Sequence, residues 1–152
     1  MKALLQRVSK ASVHVGDRLT GEIQKGFLIL LGITQSDTEK DLDLLLEKIV
    51  NLRIFEDEEQ KMNKSLIDVG GSLLIVSQFT LYADCKKGRR PSFTDAARPE
   101  QAIELYKKCI EKAKVLVPNV QEGEFGAMMD VALVNDGPTT IMLETKEGEW
   151  IG

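Results

Sequence analysis

The sequence predicts an α+β fold: mostly antiparallel, curved β-sheet layers, barrel- or sandwich-like, with two main helices packed on them. Three observations predict it. Apolar and polar residues alternate near the start, a continuous apolar run follows, and only two later segments show apolar stripes at helical spacing. Strand-like segments outnumber helical ones, and no repeat or long linker divides the chain. One domain over residues 1–152 is the expectation.

Residues 3–15 and 18–24 read as strands joined by a short hairpin at Val15-Gly16-Asp17-Arg18. Phe27-Leu28-Ile29-Leu30-Leu31-Gly32-Ile33 is the pattern of a strand buried on both faces. Ser36 or Asp37 is expected to cap a helix whose stripe is Leu42, Leu45, Leu46, Ile49 and Val50. Arg53-Ile54-Phe55 reads as a short strand entering an acidic turn. From Asp37 to Glu59 there are nine acids against three bases, the composition of a solvated face. Gly70-Gly71 opens a strand expected from Ser72 to Leu81. Pro99 suits the first turn of a second helix, with stripe Ala102, Ile103, Tyr106, Cys109, Ile110 and Ala113, ending before Pro118. Strands over 120–125, 129–134 and 139–144 complete the reading. The tail from Thr145, Trp150 included, shows no pattern.

Composition excludes several classes. With 20 basic and 24 acidic residues the formal net charge is −4, which argues against broad non-specific nucleic-acid binding. The longest apolar run, Phe27 to Leu31, is far below the roughly 20 residues of a membrane span. Gln6-Arg7 cuts short the apolar start, so no export signal is read and a cytoplasmic protein is expected. Cys85 and Cys109 make neither a disulfide framework nor a zinc site and read as reduced thiols. The single histidine, His14, falls on the polar face of its strand, so any catalysis is expected to work without an imidazole. One histidine and scattered acids offer no metal-ligand spacing, and no cofactor is called for.

Three segments break local rules. In Ser77-Gln78-Phe79-Thr80-Leu81-Tyr82-Ala83-Asp84 polar and apolar residues interleave, either as the wet face of a strand or as a pocket wall. As a wall, Ser77, Gln78, Thr80 and the nearby backbone N–H groups would be donors suited to an oxyanion. Asn135-Asp136-Gly137-Pro138-Thr139-Thr140 first suggests a hairpin turn, and its Gly-Pro bond is a candidate cis peptide. Lys86-Lys87-Gly88-Arg89-Arg90-Pro91-Ser92-Phe93, with Arg98 following, is a basic loop. It is either solvated surface or a phosphate contact.

The first two segments resemble the signature motifs of the D-aminoacyl-tRNA deacylase family, also known as D-tyrosyl-tRNA deacylase. The likeness extends to Gln6-Arg7-Val8, Asn51-Leu52-Arg53-Ile54-Phe55, Lys87 to Phe93 and Phe125-Gly126-Ala127, and spans roughly residues 1–145. The family commonly has an acidic residue after Phe-Gly-Ala, where this chain has Met128.

The resemblance implies a cytoplasmic homodimer with active sites at the subunit interface. It would hydrolyse the ester joining a D-amino acid, or mischarged glycine, to the 3′ end of tRNA, with L-substrates excluded by a Gly-cisPro motif. It also implies roles. Ser77, Gln78, Phe79 and Thr80 would line the catalytic pocket, and Gly137 and Pro138 would hold the substrate amino group and leave an L side chain no room. Phe125 and Met129 would hold the terminal adenine, while Arg7 braces the Gly-Pro loop. Lys86, Lys87, Arg89 and Arg90 are the expected tRNA phosphate contacts. Two routes to cleavage stay open: a covalent intermediate on Thr80, or water assisted by the substrate's 2′-hydroxyl. Rival readings are an esterase or amidase of small free molecules and a non-catalytic RNA-end binder.

Overall fold

Two strand–helix–strand units set the architecture. The computed structural model describes residues 1–152. Strand β1 (Lys2–Val15) turns at Gly16 into β2 (Arg18–Ile23), and β3 (Gly26–Gly32) follows. Both return antiparallel along the same edge of β1, β2 beside residues 11–15 and β3 beside residues 2–8. Helix α1 (Glu39–Asn51), the small hairpin β4 (Phe55–Glu56) and β5 (Met62–Lys64), and the single turn α2 (Leu66–Val69) then cross over to β6 (Ser72–Ser77). This strand is parallel to β3. Helix α3 (Pro99–Leu116) makes a second crossover to β7 (Val120–Glu122), parallel to β6. Strand β8 (Asp130–Lys146) pairs antiparallel with the other edge of β1, and β9 (Glu149–Trp150) folds back on its end.

The expected α+β class holds, with corrections. The sheet is mixed, because a helical crossover returns the chain in the same strand direction. Two crossovers stepping the same way across the sheet with the same hand put α1 and α3 on one face. The two helices meet there, Lys112 Nζ lying 2.8 Å from Asp43. Barrel closure does not occur. The sheet curls until Gly21 of β2 lies against β7, where an added Cβ would be 2.7 Å from the Glu122 carbonyl oxygen, yet β2 pairs only with β1. The curl separates two cores. One lies under the helices around Phe27, Leu42, Ile49, Leu73 and Tyr106. The smaller, around Val13, Ile23, Leu28 and Leu74, fills the concave side.

Several expected boundaries move. The cap of α1 is Thr38, not Ser36 or Asp37, and its N–H donates to the Asp41 carboxylate at 3.0 Å. The strand expected over 72–81 ends at Ser77 and becomes a 3₁₀ turn, Phe79–Tyr82. The strand expected over 53–55 is β4, and the one over 120–125 is β7, which stops at Glu122. The strands expected over 129–134 and 139–144 are one strand, β8, so Asn135-Asp136-Gly137 is no hairpin. The short α2 joins the two expected helices, and Trp150 sits in β9 with the Lys48 ammonium 5.3 Å from its ring centroid.

Asp37 and Asp41 are also not part of a solvated face. Both are buried beside the amino group of Met1, which donates to Asp37 Oδ1 at 2.8 Å and to the Thr145 carbonyl at 2.7 Å. Burial by itself would raise the Asp41 carboxyl. Hydrogen bonds from Thr145 Oγ1 and the Thr38 and Gly148 N–H groups outweigh it and hold the group below its ordinary value of 3.8.

The cysteines divide by environment. Cys85 is exposed, whereas Cys109 lies in the main core, where burial pushes its thiol up to about 12. A thiol reagent at neutral pH is therefore expected to modify one cysteine in the folded protein and both after denaturation. Two fast-reacting thiols in the native state would contradict this packing. No helix is long and apolar enough to cross a membrane.

Candidate active site

Ser77 is the last residue of β6 and pairs with Leu31. The Gln78 N–H donates to the Leu31 carbonyl at 2.8 Å, and the chain then bends into the 3₁₀ turn. A glycine on the neighbouring strand makes this bend possible. A Cβ on Gly32 would lie 3.1 Å from Leu81 Cβ and 3.3 Å from the Gln78 carbonyl oxygen, so the turn rests directly on the end of β3. Within it, Leu81 N–H donates to Gln78 and Ala83 N–H to Thr80. The N–H groups of Phe79 and Thr80 come first in the turn and have no carbonyl upstream within it.

Phe79 and Thr80 are exposed, and Ser77 and Gln78 half-buried. The Gln78 side-chain amide donates to Thr80 Oγ1. An amide N–H cannot take a proton, so this partner orients the hydroxyl without activating it. His14 gives no help. Ser77 shares a row with Leu31 and Ala3, and His14 lies eleven residues further along β1, roughly 35 Å by strand rise.

The basic segment sits beside this turn. Asp84 and Ser92 exchange backbone hydrogen bonds at 2.7 and 2.9 Å, closing a loop that carries Lys86, Lys87, Arg89 and Arg90, all exposed. Gly88 takes φ +64° at its tip. At its base, Phe93 meets Phe79 edge-on, with ring centroids 5.2 Å apart. Phe125 and Met129 lie in the segment after β7, where Met129 Sδ accepts from the Glu124 N–H at 3.4 Å. Ile75 of β6 pairs with Glu122, so the chain leaving β7 passes the Ser77 end of β6. Phe125 packs on Tyr106, whose hydroxyl donates to the Ile75 carbonyl at 2.7 Å. Met128 is 91% exposed.

The second motif has a different origin. Gln6 pairs with Thr140 and Val8 with Asn135, so Arg7 alone stands opposite the four residues 136–139. Those residues loop out of β8 as a bulge containing a cis Gly137–Pro138 bond, with Gly137 at φ +126°. Asn135 staples its base, accepting from the Thr139 N–H at 3.1 Å and donating to Thr140 Oγ1 at 2.8 Å. Arg7, 4% exposed, fills the space beneath. Its Nε donates to the Asp136 carbonyl at 3.1 Å and its Nη1 to the Ile54 carbonyl at 2.6 Å.

Within one chain the two motifs lie apart. Ser77 and Arg7 differ by four residues along the strands, and Ser77 and the bulge by three strand spacings across, which is roughly 20 Å in all. The turn and the basic loop meet at the Phe79–Phe93 contact, Phe125 packs on the core under the helices and Met129 on the smaller core, and Arg7, Gly137 and Pro138 form a separate group. Sequence reasoning missed Gly32, although a glycine closing an apolar run was the visible signal of a close approach.

A family model described as D-Tyr-tRNA(Tyr) deacylase matches residues 4–144. A D-aminoacyl-tRNA deacylase of Clostridium botulinum (strain Hall) is 56% identical over 147 residues, covering 97% of this chain and 99% of the relative. One from Syntrophus aciditrophicus is 56% identical over 146 residues, 96% and 98% of the two chains. Among solved structures, the c-Myc DNA Unwinding Element Binding Protein superposes with a TM-score of 0.90 at 44% identity, covering 95% of this chain and 99% of its own. With this fold and these relatives, the protein is a hydrolase acting on ester bonds. The chain belongs to the D-Tyr-tRNA(Tyr) deacylase family, as its two motifs suggested.

Proposed function

We propose that this protein hydrolyses the ester joining a D-amino acid, or mischarged glycine, to the terminal adenosine of tRNA, acting in the cytoplasm as a homodimer. The observation that carries the reading is the Phe79–Phe93 contact, which joins a donor-bearing turn to a basic loop. Such a site suits an ester carried on a phosphodiester chain. Lys86, Lys87, Arg89 and Arg90 take the phosphates of the RNA end, and Phe125 and Met129 hold the terminal adenine.

The backbone N–H groups of Phe79 and Thr80 stabilise the oxyanion, each worth about 3 kcal/mol in this role. Ser77, Gln78 and Thr80 orient the ester. Water is the nucleophile, assisted by the 2′-hydroxyl of the substrate ribose, because the Thr80 hydroxyl has no base beside it. The amino group is held by carbonyls of Gly137 and Pro138 of the partner subunit, with the partner's Arg7 beneath the bulge. An L side chain is refused by lack of room, so selection works by exclusion. The separation of the motifs within one chain supports a shared site. So does a row from Val76 through Leu30 and Leu4 to Met142, which ends 42% exposed on an uncovered sheet face.

Matched D- and L-tyrosyl-tRNA test the reading. The D-ester is expected to be cleaved and the L-ester spared, with apparent affinity falling as salt rises because phosphate contacts release counterions. Cleavage indifferent to salt would favour a small-ester hydrolase, and two intact esters a simple binder. A trapped acyl-enzyme that Thr80→Ala abolishes would replace the water route with the covalent one.

A further inference from the structure

We propose that Lys2 is a positioning residue for ester cleavage, holding the 79–82 turn in place from its C-terminal end. The proposal rests on reading that turn as the oxyanion site. Lys2 pairs directly with Gly32, so their side-chain positions share a face of the sheet. Gly32 has no side chain, and the turn occupies the place one would fill. The Lys2 stem therefore runs along the turn itself. Its Nζ donates to the Leu81 carbonyl at 3.2 Å and stands 4.7 Å from the centroid of the Tyr82 ring. Glu144 is the neighbour of Lys2 on β8, yet the ammonium is directed to the turn.

Three attachments then define where the Phe79 and Thr80 amides stand. Gln78 N–H to Leu31 fixes the start of the turn, Gly32 supports it from below, and Lys2 holds its end. A cation at the C-terminal carbonyls of a helical turn is favourable, and the aromatic face beneath strengthens the attachment. Oxyanion donors act only when they are already in position as charge develops. A clamp one or two residues along from the amides is thus expected to appear in kcat rather than in substrate binding.

Lys2→Met keeps the stem and removes the ammonium, and Lys2→Arg restores a cation. With D-tyrosyl-tRNA, Lys2→Met is expected to lower kcat about tenfold with KM changed less than about twofold, and Lys2→Arg to recover most of the loss. In the folded Lys2→Met protein the amides of Phe79 to Tyr82 are expected to exchange with solvent faster than in the parent, by NMR. A raised KM with unchanged kcat would make Lys2 an RNA contact and overturn the proposal, as would unaltered exchange. If the parent protein cleaves no D-aminoacyl-tRNA, the substrate reading fails, and amide exchange alone decides whether Lys2 clamps the turn.

Discussion

Arg7→Met is expected to cost about 2–4 kcal/mol of stability, because it strips a buried guanidinium's hydrogen bonds from two partly buried carbonyls. For a chain of this size that lowers Tm by roughly 5–15 °C. Methionine nearly conserves the volume, so the loss reports hydrogen bonding and charge rather than a cavity. The guanidinium divides its N–H groups between two distant parts of the chain, the Asp136 carbonyl in the bulge and the Ile54 carbonyl before β4. The Asp136 carboxylate, 3.5 Å from Nε, adds a charge contact on the exposed side. Arg7→Lys should fall between parent and Met variant, since a lysine point charge cannot serve both carbonyls as a planar fork does. If residues 137–138 complete the active site, hydrolysis of D-tyrosyl-tRNA should fall at least about a hundredfold in Arg7→Met, measured well below its Tm. A variant that melts early but cleaves normally would confine Arg7 to a structural role.

The Arg7 bulge also marks where the sequence stopped being legible. Local pattern was sufficient for β1, β2, β3, α1 and α3, because each carries its own period and turn or cap residues. It misread residues 129–144 as two strands, since Asn-Asp-Gly-Pro is locally the chemistry of a chain reversal. What keeps the strand running onward is remote: pairing with β1 on both sides of the bulge and a buried arginine beneath it. The end of β6 failed in the same way. Polar and apolar residues go on alternating past Ser77, and only the bare Gly32 on the next strand shows why the chain bends there. Asp37 and Asp41 looked like members of an acidic surface, and nothing near them in sequence announces the Met1 amino group they enclose. The parallel strands were within reach, because a strand, a helix and a strand in succession imply a crossover. Of the candidate site, the turn and the basic loop, neighbours in sequence, meet through Phe79 and Phe93. The Gly-Pro motif lies apart from them within one chain, at a bulge whose place only the pairing of β8 with β1 reveals.

That separation makes a sharp test with two inactive proteins. Gly137→Ala should be strongly impaired. At φ +126° a side chain is strained, and the added Cβ would lie 2.6 Å from Thr139 Oγ1 and 3.0 Å from Arg7 Nη2. Thr80→Trp should be impaired for another reason, as an exposed position where bulk occupies the space in front of the turn. If each site combines the turn of one subunit with the bulge of its partner, a mixed dimer holds one site with both lesions and one with neither. Unfolding and refolding the two variants together in equal amounts makes half the dimers mixed, so activity on D-tyrosyl-tRNA should return to about a quarter of the parent value. Sites formed within single chains cannot complement each other, and the mixture would then stay as inactive as its components.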